Sequence, residues 1–264
     1  NKRQKLNTNA QKLDLPRLGL GTYEIVSKDI ILSAFQIGYR HLDLASCYGN
    51  LNAVKEALIE VFKPKYFGGL GIDRSSVFIT MKVFEITSEI YIPDLLKKVG
   101  VQYFDLLLYH IPNHIFQSQS KMEASWQTIL AEQRKQNVVH IGVSNCYKQH
   151  LNRLLKYCND NHLAFPYANE ILINPYVMPV ETIEFCKYWN IKLIAYCPLG
   201  FSFSEMLLGD EKVKLIAYEL DCKPSQVVLS WLIKQGFYVI PKSSNEDHLK
   251  SNFNLQETDI LFNT

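Results

Sequence analysis

The chain has no uninterrupted run of 18 apolar residues, which excludes a membrane-spanning helix at the level of sequence. It has no strong charge of either sign. Lys plus Arg is 28 and Asp plus Glu is 26, a net charge of +2 over 264 residues, so neither nucleic acid nor a membrane surface is expected as a partner. No two of its six cysteines (Cys47, Cys146, Cys158, Cys186, Cys197, Cys222) have CxxC spacing, which leaves six reduced thiols of a cytoplasmic protein as the expectation. The polar start Asn1–Lys5 is followed by no apolar core of a leader peptide, so no secretory signal is expected. Low-complexity tracts and internal repeats are also missing.

Two nucleotide-binding fingerprints fail. Gly19-Leu20-Gly21 begins a G-x-G-x-x-G pattern, but Glu24 stands at its sixth position. Gly68-Gly69-Leu70-Gly71 has the wrong spacing and follows a helical stretch, and no G-x-x-x-x-G-K-[ST] loop occurs. A doubly wound dinucleotide fold is therefore disfavoured. What the chain does have is 47% hydrophobic residues against 20% charged, enough to build a core.

That apolar content is ordered. Short β-rich runs fall at 18–21, 40–43, 77–82, 104–110, 138–143, 167–171, 192–195 and 237–240. Most are continuously apolar, as in Phe78-Ile79-Thr80 and Leu106-Leu107-Leu108, the pattern of parallel strands covered on both faces. Amphipathic stretches separate them. One, capped by Ser27 and stopped at Gly38, carries Ile30, Ile31, Ala34 and Phe35 on one face. Eight strand–helix units in about 250 residues predict an α/β fold of the (β/α)8 TIM-barrel type, a single domain over 1–264 with a polar extension at 1–12.

Barrels keep their chemistry at the carboxyl ends of the strands. Those positions hold Asp43 and Tyr48, then Lys82, His110, Ser144 and Asn145, Asn169 and Glu170, Tyr196, and finally Pro241-Lys242-Ser243-Ser244 at the start of a helical stretch. A phenol ordinarily titrates near pH 10, and a neighbouring ammonium such as Lys82 lowers that value. A lysine buried at a strand end requires a counter-charge, which Asp43 can supply. His110 can orient a carbonyl oxygen by a hydrogen bond. The set suits carbonyl reduction but lacks a hydride source, so a nicotinamide cofactor is expected. Tyr196 could stack on a flat ring, Ser144 and Asn145 could bond a carboxamide, and Lys242 with the N–H groups near Ser243 and Ser244 could hold a phosphate. A metal-dependent hydrolase is disfavoured because no His/Asp/Glu cluster has ligand spacing, although His41 and Asp43 form a pair that geometry alone does not dismiss.

Several segments together resemble the aldo-keto reductase family: Gly38–Ala45 leading to Tyr48, Ile79–Lys82, Asp105 to Pro112, Ile141–Asn145, Ala195–Gly200 and Ile240–Ser243, in order from about Leu13 to about Phe253. The resemblance implies a barrel that binds NADPH, with NADH weaker, and reduces a small-molecule carbonyl substrate as a monomer. It implies the tetrad Asp43, Tyr48, Lys82 and His110, with Tyr48 as proton donor. The implied cofactor residues are Thr22, Ser144, Asn145, Glu170, Tyr196, Leu199, Lys242, Ser243, Ser244, His248 and Asn252. Tyr23, Phe84 and Ile111 match positions that line the substrate pocket, and no metal is implied.

Departures from the family pattern carry expectations of their own. Glu170 stands where the family usually has Gln, and a carboxylate cannot donate to a carboxamide oxygen unless it is protonated. It is expected to favour the oxidised, cationic ring. His248 replaces a common Arg, which predicts a smaller preference for NADPH over NADH. Leu51 stands where Glu is frequent. Pocket positions often held by Trp are Tyr23, Phe84 and Ile111, and the segments around 84–93, 112–121 and 200–210 look trimmed, which predicts an open, loosely specific pocket. A barrel that binds NADP(H) as a regulatory or sensor protein with little turnover is the alternative.

Overall fold

Continuous apolar strands close into a ring when helices cover their outer face, and that is the outcome here. The computed structural model describes residues 13–87 and 90–256; the expected extension at 1–12 lies outside them. Eight strands run β1 (Leu20–Gly21), β2 (His41–Ala45), β3 (Phe78–Val83), β4 (Phe104–Tyr109), β5 (Val138–Ser144), β6 (Ala168–Leu172), β7 (Lys192–Tyr196) and β8 (Tyr238–Ile240). They form one sheet in sequence order, every neighbouring pair parallel. A parallel bridge between Leu18 and Val239 brings the last strand back to the first, with Gly19 N–H donating to Val239 O at 2.9 Å and Gly21 N–H to Pro241 O at 3.1 Å.

The period of two along each strand divides the apolar residues between two cores. Phe78, Leu106, Leu108, Ala168, Ile194 and Ile240 fill the barrel interior, with Leu15 packed among them. Ile79, Met81, Leu107, Ile141, Ile171 and Leu193 face outward against the helices. Helix Lys28–Ile37 follows the expected pattern and ends at Gly38, whose φ of 131° favours glycine. Ser27 does hold its N-cap position, but its side chain makes no cap hydrogen bond.

Strand packing requires glycine at Gly142. A Cβ there would lie 2.4 Å from Ala168 O and 2.8 Å from Leu108 Cδ2, and the first of these is backbone of the adjoining strand. Gly142→Ala is expected to cost on the order of 3 kcal/mol, because Ala168 O belongs to the strand backbone and cannot withdraw without disturbing the ladder. Urea unfolding checks this; a midpoint equal to that of the native chain would contradict it.

Inward positions near the carboxyl ends are different in kind. Asp43, Lys82 and Glu170 follow His41, Thr80 and Ala168 along their strands with the same inward direction. The interior is therefore apolar below and ionisable above.

Candidate active site

Three buried charged groups form the floor of the mouth. Lys82 Nζ hydrogen-bonds Asp43 Oδ2 and lies 2.9 Å from Glu170 Oε1. The side chains of Lys82, Asp43 and Glu170 are 1%, 3% and 3% exposed. Asp43 Oδ1 and Glu170 Oε2 are buried with no protein partner. The Lys82–Asp43 pair matches the sequence expectation. The engagement of Glu170 with Lys82 does not: sequence reasoning placed that residue at a carboxamide. Its inward register on β6, opposite the inward Lys82, is what brings it there.

Above this floor stands Tyr48, in the turn between β2 and helix Leu51–Phe62. Asn50, at the N-cap of that helix, fixes the turn through Nδ2, which donates to Thr22 O at 2.6 Å and Ile25 O at 3.1 Å. Thr22 contributes too, its hydroxyl donating to Asp43 O at 2.7 Å. Lys82 Nζ lies 5.3 Å from the centre of the Tyr48 ring. The expected net lowering of the phenol is overturned. Burial pushes Tyr48 above its ordinary value, Lys82 pulls it back, and Asp43 and Glu170 push it up again. The two carboxylates that hold Lys82 also oppose its effect on Tyr48.

His110, after β4, faces Tyr48 edge to face at 6.1 Å between ring centres and stacks on Phe84 at 5.2 Å and 11°. Its Nδ1 is 3.8 Å from Cys47 Sγ. Burial, assisted by Lys82, pushes His110 down to about 4, so the imidazole is neutral at pH 7 and suited to donating one hydrogen bond. Tyr23, 47% exposed, meets Tyr48 edge to face at 5.2 Å. Ile111, half-buried, caps helix Pro112–Ile115 directly after His110. The aromatic rim is thus assembled from the loops after β1, β3 and β4.

The far side of the mouth is tightly bonded to itself. Ser144 Oγ donates to Glu170 O at 2.8 Å. Asn145, at φ 57°, donates from Nδ2 to His110 O at 2.8 Å and to Ser144 Oγ at 3.2 Å, and its Oδ1 accepts from Tyr196 at 2.8 Å. Tyr196 is half-buried, its phenol pushed up to about 12 mainly by burial. Leu199, also half-buried, follows on the same loop. Asn169 faces the other way, bonding Cys146 O at 2.6 Å, and is structural.

The loop after β8 departs from expectation in one respect. Its helix, Glu246–Phe253, begins two residues beyond Ser244, and Asn245 caps it by accepting from His248 N at 3.0 Å. The N–H groups near Ser243 and Ser244 therefore precede the first turn. Ser243 Oγ accepts from Asn245 N at 3.0 Å. Lys242, Ser244 and His248 are exposed, whereas Asn252 is buried at 3%. Lys242 Nζ lies 3.7 Å from Glu24, and Glu246 and Asp247 place negative charge in the first turn. Asn245 is a cap that sequence reasoning missed, though the Asn before an acidic first turn is a readable cap pattern.

His41, the other half of the pair considered for a metal, bonds Thr80 Oγ1 through Nε2 at 2.9 Å and is pushed down to about 3 by burial. Among the described residues no group of three His, Cys, Asp or Glu side chains has the geometry to hold a metal ion. No helix among them is long and apolar enough to cross a membrane.

Known proteins share this architecture. The model of the Aldo/keto reductase family matches residues 17–261. An aldose reductase of Encephalitozoon cuniculi is 32% identical, the match covering 97% of this chain and 89% of that protein. The glycerol 2-dehydrogenase (NADP(+)) of Saccharomyces cerevisiae is 30% identical over 94% of this chain and 84% of its own. Among solved structures, an aldo-keto reductase enzyme from a Medee basin deep-sea metagenome library superposes with a TM-score of 0.81 at 28% identity, covering 92% of this chain and 86% of that one.

Proposed function

The chain belongs to the aldo/keto reductase family, and from that premise we propose that it reduces small aldehydes or ketones to alcohols with NADPH, Tyr48 donating the proton. The observation that carries this reading is Tyr48 and neutral His110 facing one another above a buried Lys82, in a mouth rimmed by aromatic side chains. His110 donates a hydrogen bond to the substrate oxygen and orients the carbonyl. The Tyr48 hydroxyl donates its proton to the same oxygen, and the Lys82 ammonium stabilises the phenolate that remains. Tyr23, Phe84 and Ile111 give the substrate an apolar, open seat.

The residues present fit a nicotinamide cofactor. Asn145 Oδ1, which accepts from Tyr196, has a second lone pair for a carboxamide N–H, and the half-buried Tyr196 ring lies beside it at the mouth. Asn145 would hold the carboxamide on this reading, with Ser144 buttressing it and the Tyr196 ring against the nicotinamide, while Glu170 acts from beneath through its charge. Leu199 covers the pyrophosphate, Thr22 closes the near wall, and Lys242, Ser243, Ser244, His248 and Asn252 serve the adenosine 2′-phosphate. Hydride to the carbonyl carbon is the chemistry that NADPH supplies when bound.

Lys242 is the exposed cation of that set and lies 3.7 Å from Glu24. Lys242→Ala is expected to weaken NADPH about tenfold and NADH very little, since one lost phosphate contact is worth about 1.4 kcal/mol. Equal weakening of both would remove Lys242 from the phosphate site. Six unpaired cysteines support a cytoplasmic setting.

The test is to titrate the protein with NADPH and NADH by quenching of tryptophan fluorescence, then to add an aromatic aldehyde and follow nicotinamide absorbance. Tight binding with oxidation of NADPH supports the reductase. Binding without turnover supports the regulatory reading instead, which the opposition of Asp43 and Glu170 to Tyr48 ionisation favours.

A further inference from the structure

Behind Tyr48 the charges do not balance. One ammonium, Lys82, contacts two carboxylates, Asp43 and Glu170, and all three are out of water. Among the described residues the groups packed around them add no second cation. From β2 comes His41, neutral by burial; from the turn after it, Tyr48 and Cys47; from the loop after β4, neutral His110. From β7 and its loop come the Tyr196 phenol and the Cys197 thiol, both pushed up by burial. Lys242, beyond β8, is engaged with Glu24 at the surface. Fully ionised, the cluster would carry one net negative charge in a dry interior, and a group so placed takes up a proton rather than bear that cost.

Hydrogen bonding points the same way. Asp43 Oδ1 and Glu170 Oε2 are buried acceptors without partners. The donors that flank Glu170 are spent: Ser144 Oγ–H on Glu170 O, and Asn145 Nδ2 on His110 O and Ser144 Oγ. A proton on the carboxyl pair supplies the missing donor, since the Asp43 side chain lies within hydrogen-bonding reach of Glu170, and burial with the Asp43 charge places it on Glu170.

We propose that Glu170 is a positioning residue whose carboxyl group carries a proton at neutral pH and releases it to solvent in alkaline solution, so that the relative affinity of this chain shifts from NADPH toward NADP+. The half of this that concerns the cofactor rests on the function proposed above; the half that concerns the proton stands on the cluster alone. Burial and the Asp43 charge push the Glu170 carboxyl up to about 8, against the pull of Lys82. Protonated, Glu170 leaves Lys82 balanced by Asp43 alone. Ionised, it raises Tyr48 further and places a negative charge beside a ring that is cationic when oxidised. A glutamine in its place would fix the neutral condition at every pH.

Two measurements test this. The first needs no nucleotide: infrared difference spectra of the native chain between about pH 6 and about pH 10, a window bracketing the Glu170 carboxyl and far above an ordinary carboxylate. A protonated carboxyl band that disappears across the window, and is missing in Glu170→Gln, is expected. No such band in the native chain, or the same band in the variant, would overturn the proposal. The second is calorimetric Kd for NADPH and NADP+ across the same range. In the native chain the ratio Kd(NADPH)/Kd(NADP+) is expected to rise roughly tenfold, as a charge at close range in a poorly screened site demands, and in Glu170→Gln to stay flat. Parallel slopes in both proteins would overturn the cofactor half. If neither nucleotide binds, the proposed function fails, and the infrared result alone decides the proton. Glu170→Asp, which keeps a titrating carboxyl, is expected to retain a pH-dependent ratio.

Discussion

Tyr48→Phe is expected to lower carbonyl reduction by roughly 10²–10⁴-fold, the usual contribution of a positioned general acid, and to leave the NADPH Kd within about twofold. The substitution removes one hydroxyl and no ring. Edge-to-face packing on Tyr23 and His110 is retained, and Lys82 keeps its contacts with Asp43 and Glu170. Steady-state kinetics with an aromatic aldehyde, paired with fluorescence titration, separates the two effects. A variant that keeps most of its activity would show that Tyr48 does not donate the proton. His110 gives the companion pH expectation. It is held neutral down to about pH 4, so its own titration produces no limb in the rate profile above about pH 5.

Lys82→Met is expected to destabilise the barrel by about 3–5 kcal/mol, because it leaves the Asp43 charge buried beside Glu170 with no cation between them. For a domain of this size that is a fall in Tm on the order of 10 °C. The pH dependence of the loss has a definite sign. Without Lys82 the two carboxyls titrate higher when folded than when unfolded, so the folded variant binds more protons and its stability falls as pH rises through the carboxyl range. The deficit relative to the native chain is therefore smallest in acid. Asp43→Asn costs less, since removing the Asp43 charge lets Glu170 ionise and take over as the counter-charge of Lys82. Thermal melts of both variants at two pH values check this. Equal losses in the two would mean that Glu170 does not act as a counter-charge.

Much of this was legible from residue order. The expected strands lie within one or two residues of those observed, because a parallel strand covered on both faces must be apolar throughout and few other segments of the chain are. The barrel followed from the count of strand–helix units, and Asp43, Tyr48, Lys82 and His110 were located by a local rule, that chemistry sits at the carboxyl ends of strands. The resemblance to aldo-keto reductases rested on segments spread through the chain, and the family match over residues 17–261 bears it out.

Other features needed distances between strands that are far apart in sequence. Glu170 and Lys82 are 88 positions apart, and only the inward register of β3 and β6 puts 2.9 Å between their charged atoms. Lys242 meets Glu24 because the ring closes β8 onto β1. The sign of the Tyr48 shift depended on burial, which no spacing reports, set against charges on three different elements. By itself, then, the sequence determined which residue types stand at the mouth, because strand period and strand-end position are local properties of the chain. The tertiary structure decided which of them share charge, because Coulomb energy and desolvation depend on through-space distance and on the water that packing removes.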